Sequence, residues 1–158
     1  MRVSPLDRLE LKLPPVLLVA LVAAGMWWLA AVTVSFEAMP LVRGAIALLL
    51  AIKGGWIAAA GVIAFRKADT TVNPMTPEES SRVVQHGIYR HTRNPMYLGF
   101  LFVLVAWAVW LAAPWALLGP VLYAAWMTRF QILPEERALA ERFGDEYRAY
   151  CRRTRRWV

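Results

Sequence analysis

The polar, basic run His86-Gly87-Ile88-Tyr89-Arg90-His91-Thr92-Arg93-Asn94 leads directly into an apolar segment that begins Pro95-Met96-Tyr97-Leu98-Gly99. Asn94 is a favourable N-cap, and Pro95 suits a first helical turn, where its missing N–H costs nothing. Together they predict a helix starting at Pro95, with Arg93 just outside its N-terminus. A side-chain cation and the positive helix end then meet at one spot, which suits a carboxylate or a phosphate. An arginine there serves equally well as the interfacial anchor of a membrane helix. A second chemically able pair, Glu135-Glu136, follows Pro134. Acids in a first helical turn are ordinary dipole chemistry, yet they also supply carboxylates that hold a cation or move a proton. Adjacent helical side chains diverge by about 100°, so one of the two is expected to face a site, Glu136 before Glu135.

Four apolar runs must position these residues. They cover about 15–36, 41–65, 95–113 and 115–133, each near the ~20 residues that cross a hydrocarbon core. The chain of 158 residues is 59% hydrophobic with a mean hydropathy of +0.43, outside the usual soluble range, and little remains for a separate soluble domain. The expected fold is all-α: one polytopic membrane domain over 1–158, with four transmembrane helices and a short cytoplasmic C-terminal helical segment. Runs three and four are joined only by Leu111-Ala112-Ala113-Pro114-Trp115, too short for a site. That tight hairpin returns Glu135 and Glu136 to the face that holds Arg93. Trp110 and Trp115 read as an aromatic belt at the opposite interface. Beyond run four, Leu139 and Phe143 share one helical face, and Gly144 is placed to end that helix. Asp145 is placed to cap a shorter helix bearing Tyr147, Tyr150 and Cys151 on one side.

Basic residues set the orientation. Arg2, Arg8 and Lys12 precede the first run, and Arg66, Lys67, Arg82, Arg90 and Arg93 lie between the second and third. Arg129 and a cluster from Arg137 to Arg156 lie at or after the end of the fourth. By the positive-inside rule, both termini and the middle loop face the cytoplasm. The net charge of +7 then reflects topology and attraction to anionic lipid, and gives no reason to expect a nucleic-acid partner. Run one, with Trp27-Trp28 inside it, exceeds the about 7–15 apolar residues of a signal peptide and is expected to be retained. Cys151 is the sole cysteine, which excludes an intramolecular disulfide. His86 and His91 fit one helical face poorly, so no metal site is expected. Lys53 falls near the middle of run two. It marks either a functional site or a snorkelling side chain beside a close helix contact at Gly54-Gly55.

Two motifs stand in order: Gly87-x-Tyr89-x-x-x-Arg93-Asn94-Pro95-x-Tyr97-x-Gly99, then Glu135-Glu136-x-x-Leu139-x-x-x-Phe143-Gly144-x-x-Tyr147-x-x-Tyr150. Together they resemble the isoprenylcysteine carboxyl methyltransferase family, and related phospholipid methyltransferases share the proline–tyrosine–glycine part. The resemblance covers about the last half of the chain, and the first two runs carry no signature. It implies an integral membrane enzyme that uses S-adenosylmethionine without a Rossmann domain, in keeping with the missing Gly-x-Gly-x-x-Gly fingerprint. It further implies a cofactor site built from about 82–97 and 134–152. His86, Gly87 and Tyr89 would line its loop, with Asn94, Pro95 and Tyr97 packed near the cofactor. Arg93 with Glu136 or Glu135 would be the polar pair at the reacting centre. The family usually carries histidine where this chain has Asn94, a departure that touches the methyl acceptor more than the cofactor.

The acceptor is expected to be a small lipophilic molecule or a lipid, presenting a carboxylate, thiol or amine at the cytoplasmic face. Transfer from a sulfonium is an in-line displacement, so the protein chiefly aligns nucleophile, methyl and leaving sulfur. A carboxylate needs no base, whereas an amine must lose a proton, which makes a glutamate the candidate base. A small membrane transport or assembly protein is the alternative, though such a protein usually shows ionisable groups within several spans.

Overall fold

The computed structural model describes residues 9–36, 39–68 and 75–158; Arg2 and Arg8, which entered the orientation argument, lie outside them. Among the described residues the fold is all-α, with helices α1 (Pro15–Val32), α2 (Pro40–Lys67), α3 (Pro95–Leu111), α4 (Leu118–Trp126) and α5 (Leu133–Arg153). The first three open on a proline at the first helical turn, where ring and missing N–H are both tolerated. α1 and α2, at 18 and 28 residues, are long and apolar enough to cross a membrane, whereas the equally apolar α3 has 17. The first apolar run does not stay helical to its end. α1 stops at Val32, and the Phe36 N–H donates to the Ala112 carbonyl (2.8 Å) at the α3–α4 corner.

The fourth run departs further from one regular helix. It folds as a 3-10 turn (Pro114–Leu117), α4, and a widened π stretch (Met127–Ile132) that runs on into α5. Pro134 supplies the reason. It lacks an N–H and its ring crowds the carbonyl four residues back, that of Phe130, so the helix must widen there. The displaced Phe130 carbonyl accepts instead from the Leu11 N–H (3.0 Å), whose own residue sits at φ 55° to reach it. Glu10, beside it, takes Arg129 of the π stretch at 2.5 Å and also Arg137 of α5.

α2 and α3 pack with their backbones nearly touching. A Cβ on Gly99 would lie 2.5 Å from the Gly54 carbonyl and 2.7 Å from Ala58 Cβ, and one on Gly61 would meet Met96 at 2.9 Å. Such small-residue seams let membrane helices gain van der Waals contact without side chains between them. Gly54 thus makes the close contact expected of Gly54-Gly55, while Gly55 faces open space. Lys53 is exposed on the next face of α2, its ammonium 4.7 Å from the Phe102 ring centre. The helix break at Gly144 also appears: its φ of 53° and ψ of −122° kink α5. Asp145 beyond it pairs with Arg148 at 3.3 Å.

Candidate active site

The start of α3, the start of α5 and the chain beyond α5 converge on one cleft. Its walls include Tyr89, Arg93, Asn94, Tyr97, Glu135, Glu136, Tyr147 and Tyr150, around about 620 Å³ of atom-free space with the mouth included. Phe65, Met96 and Leu139 add apolar surface. Of the residues singled out from the sequence, His86 and Gly87 line a neighbouring cavity with Lys67 and Arg82 instead. Gly87 has φ 59°, a left-handed conformation that glycine adopts freely, and it opens the short 3-10 turn that carries buried Tyr89. Pro95 is buried where α3 meets Gly61 of α2.

Arg93 is the hub. Its Nη2 donates to Glu136 Oε1 (2.7 Å), and Nη1 donates to the carbonyls of Thr154 (2.5 Å) and Cys151 (3.2 Å) at the end of α5. A guanidinium there completes the orphan carbonyls of a helix C-terminus and is favoured by its dipole. Arg156 grips the same carboxylate, from Nε to Oε1 (3.0 Å) and from Nη2 to Oε2 (2.7 Å). Residues 154–157 form a strap across the site. The Arg93 N–H donates to the Arg155 carbonyl (3.0 Å), and the Arg156 carbonyl accepts from Thr92 Oγ1 (3.2 Å) and Asn94 Nδ2 (3.0 Å). Trp157 Nε1 donates to Thr128 Oγ1 (3.2 Å) in the π stretch. Asn94 therefore stands at the N-cap position without a side-chain capping bond, because its amide is held by the strap.

The two glutamates do not divide as the helix geometry alone suggested. Both reach the cleft, on different walls. Glu136 meets the two arginines, and their hydrogen bonds outweigh its burial and hold its carboxyl below the usual range. Glu135 meets α3: Tyr97 Oη donates to its Oε1 at 2.5 Å and Gln131 Nε2 donates to the same oxygen at 2.6 Å. Burial is the dominant influence on Glu135 and, with Glu136 nearby, pushes its carboxyl up to about 7 against those two hydrogen bonds. Burial likewise raises the phenols of Tyr89, Tyr147 and Tyr150, which stay neutral.

The phospholipid methyltransferase family model matches residues 42–146, about two thirds of the chain. The chain belongs to the phospholipid methyltransferase family. Among relatives, methanethiol S-methyltransferase 1 of Bradyrhizobium diazoefficiens is 44% identical over 69 residues, 42% of this chain and 22% of that protein. Protein-S-isoprenylcysteine O-methyltransferase A of Arabidopsis thaliana is 35% identical over 107 residues, 66% of this chain and 53% of that protein. An uncharacterized protein of Haemophilus influenzae is 44% identical over its whole length and 40% of this chain. The chain thus spans about half the length of the isoprenylcysteine relatives. No solved structure gives a significant match. The phospholipid methyltransferase match stops at residue 146, short of the strap. Arg156, Gln131 and Trp157 were also missed in the sequence, where Arg156 was one of many basic residues and no spacing tied Gln131 to Glu135.

Proposed function

We propose that this protein is an integral membrane methyltransferase that moves the sulfonium methyl of S-adenosylmethionine to a small lipophilic or lipid acceptor at the cytoplasmic face. One observation carries the reading. In a chain of a methyltransferase family, a single cleft joins Arg93, Asn94 and Tyr97 to Glu135 and Glu136. The residues present fit that cofactor: Arg93 Nε is a buried donor without a partner among the described residues, suited to a carboxylate, and the cleft's tyrosines offer faces to a purine. When bound, the cofactor supplies an electrophilic methyl group. The protein's share is to hold the acceptor in line, exclude water, and keep Arg93 and Glu136 fixed through the strap. Tyr89, Asn94 and Tyr97 would touch the cofactor, His86 and Gly87 would shape the loop that carries Tyr89, and Pro95 would aim the start of α3.

Four crossings are proposed: α1, α2, α3, and α4 with its π stretch. Leu49 and Trp56 of α2 are 67% and 66% exposed, a surface that hydrocarbon solvates and water does not. Phe65, Met96 and Leu139 in the cleft wall favour a lipophilic acceptor. S-adenosylmethionine should raise the melting temperature of the purified protein, with about 2.7 kcal/mol of stabilisation at a hundredfold excess over Kd. No heat by calorimetry and no thermal shift at saturating ligand would remove the enzyme and favour a transport or assembly role. The orientation is checked by labelling Arg90→Cys in a Cys151→Ser background. Arg90 is exposed, so a membrane-impermeant thiol reagent should reach it from the cytoplasmic side, and labelling from the other side alone reverses the topology.

A further inference from the structure

The cleft occupies one end of the helix bundle, and a second hollow lies toward the other. α1 and α2 each pack against α3 but barely meet one another, which leaves a groove between them. Gly44, Ala47 and Ala51 form its α2 wall, Ala23 stands on α1, and Trp107 and Trp110 rise from α3. Their spacing puts the three α2 positions on one helical face, the same face that continues as the Gly54, Ala58 and Gly61 seam. The groove holds about 830 Å³ of atom-free space with the mouth included. From Gly44 to Ala51 it runs about 10 Å along α2, against ~15 Å for half a hydrocarbon core. Trp107 Nε1 already donates to the Ala23 carbonyl (3.1 Å), so the walls offer a guest almost nothing but apolar contact. Arg43 stands one residue before Gly44, in the first turn of α2, with its guanidinium carbon 5.9 Å from the Trp110 ring centre. Its Nη1 donates to the Phe36 carbonyl (3.3 Å), while Nε is buried and has no partner among the described residues. α2 begins without a side-chain cap, so the positive helix end adds to that charge. The described residues at this end of the bundle carry no other charged side chain; Glu37 lies outside them.

Resting on the reading that α1, α2 and α3 cross the membrane, we propose that this groove binds one anionic phospholipid of the leaflet opposite the cleft, a site separate from that of the methyl acceptor. An apolar groove alone accepts any hydrocarbon, and a lone arginine accepts any anion. Joined end to end, they fit a molecule with a phosphate at one end and an acyl chain at the other. The planar guanidinium offers fixed N–H donors to phosphate oxygens, and the chain lies between α1 and α2 against Ala47, Ala51 and Leu104. One cation neutralises one monoanionic headgroup. A choline or ethanolamine headgroup would bring an ammonium with no carboxylate beside Arg43 among the described residues to receive it. The bound chain fills apolar space that no side chain fills, and so ties α1 and α2 together through contacts they do not make directly.

Native mass spectrometry of the full chain in detergent, with phosphatidylglycerol added, tests the site. Wild-type protein should retain a phosphatidylglycerol at activation energies that strip phosphatidylcholine. Arg43→Gln should weaken that binding about tenfold or more, the size of a lost charge-assisted contact, whereas Arg90→Gln at the other membrane face should not. Ala47→Phe fills the groove and leaves Arg43 in place, so it should release the lipid as well. Phosphatidylglycerol with a photoactivatable group in mid-chain should label residues 44–51 or 103–110 of the wild-type protein. That labelling decides the matter alone if Arg43→Gln fails to fold. Equal retention of phosphatidylcholine, displacement by millimolar inorganic phosphate, or labelling confined to other segments overturns the proposal. So does a dimer formed through the groove in place of the lipid adduct. Washing membranes with alkaline carbonate separates the two failures. A chain released without detergent sinks the membrane reading, whereas a retained chain without Arg43-dependent lipid sinks only this site.

Discussion

Arg93→Ala should abolish cofactor binding and lower the stability of the fold together, whereas Arg90→Ala should change neither. The side chain of Arg93 is 11% exposed and donates to Glu136, Thr154 and Cys151. Removing it leaves Glu136 to Arg156 alone and takes the guanidinium donor from two carbonyls at the end of α5, a loss of about 1–3 kcal/mol for each buried acceptor left unsatisfied. The strap loosens as well, because it is held from both sides of Arg93, by the guanidinium and by the backbone N–H. Arg90 is exposed and does not line the cleft, and substitutions of that kind stay within about 0.5 kcal/mol. Arg93→Lys keeps the charge, but one ammonium cannot reproduce a planar fork aimed at carboxylate and carbonyls, so rescue should be partial. Denaturation in detergent and calorimetry with S-adenosylmethionine measure the two effects. An Arg93→Ala protein that behaves like Arg90→Ala would reduce Arg93 to a membrane anchor.

Gly99→Ala should be among the most damaging single-methyl changes in the chain. The added carbon would sit 2.5 Å from the Gly54 carbonyl and 2.8 Å from the Ala58 backbone nitrogen, neither of which can swing aside. α2 and α3 must part, and overpacking of this kind costs about 1–3 kcal/mol or more. The displacement also reaches the site, because Tyr97 lies two residues before Gly99 on the same helix and holds Glu135. Gly55→Ala provides the contrast. Nothing lies within 4 Å of its Cβ position, so the substitution should be neutral or gain up to about 1 kcal/mol from helix propensity. Equal effects at the two positions, read from denaturation curves, would remove the backbone seam as the source of the α2–α3 contact.

What the sequence disclosed was local. Pro95 places the start of α3 because a proline is tolerated only in the first helical turn, and Gly144 breaks α5 because glycine adopts its positive φ freely. The meeting of the two motifs followed from a short connection between apolar runs, which needs no side-chain detail. Three features depended on partners far along the chain and left no local signal. The π stretch needs both Pro134 and the Leu11 N–H that relieves the Phe130 carbonyl. The strap needs the carbonyls of residues 154–156, which any residue type supplies. The different fates of Glu135 and Glu136 depend on which wall each meets, and helical spacing alone cannot tell one wall from another.

The strap also orders events in time. A ribosome makes the chain from its amino end, so the apolar helices α1–α4 exist before residues 154–157 do. Until then Arg93 lacks the Thr154 carbonyl and Glu136 lacks both donors of Arg156. The cleft is therefore finished last and from the aqueous side, after the bundle is assembled. A chain stalled before Thr154 would carry every helix and still lack the clasp that makes the site.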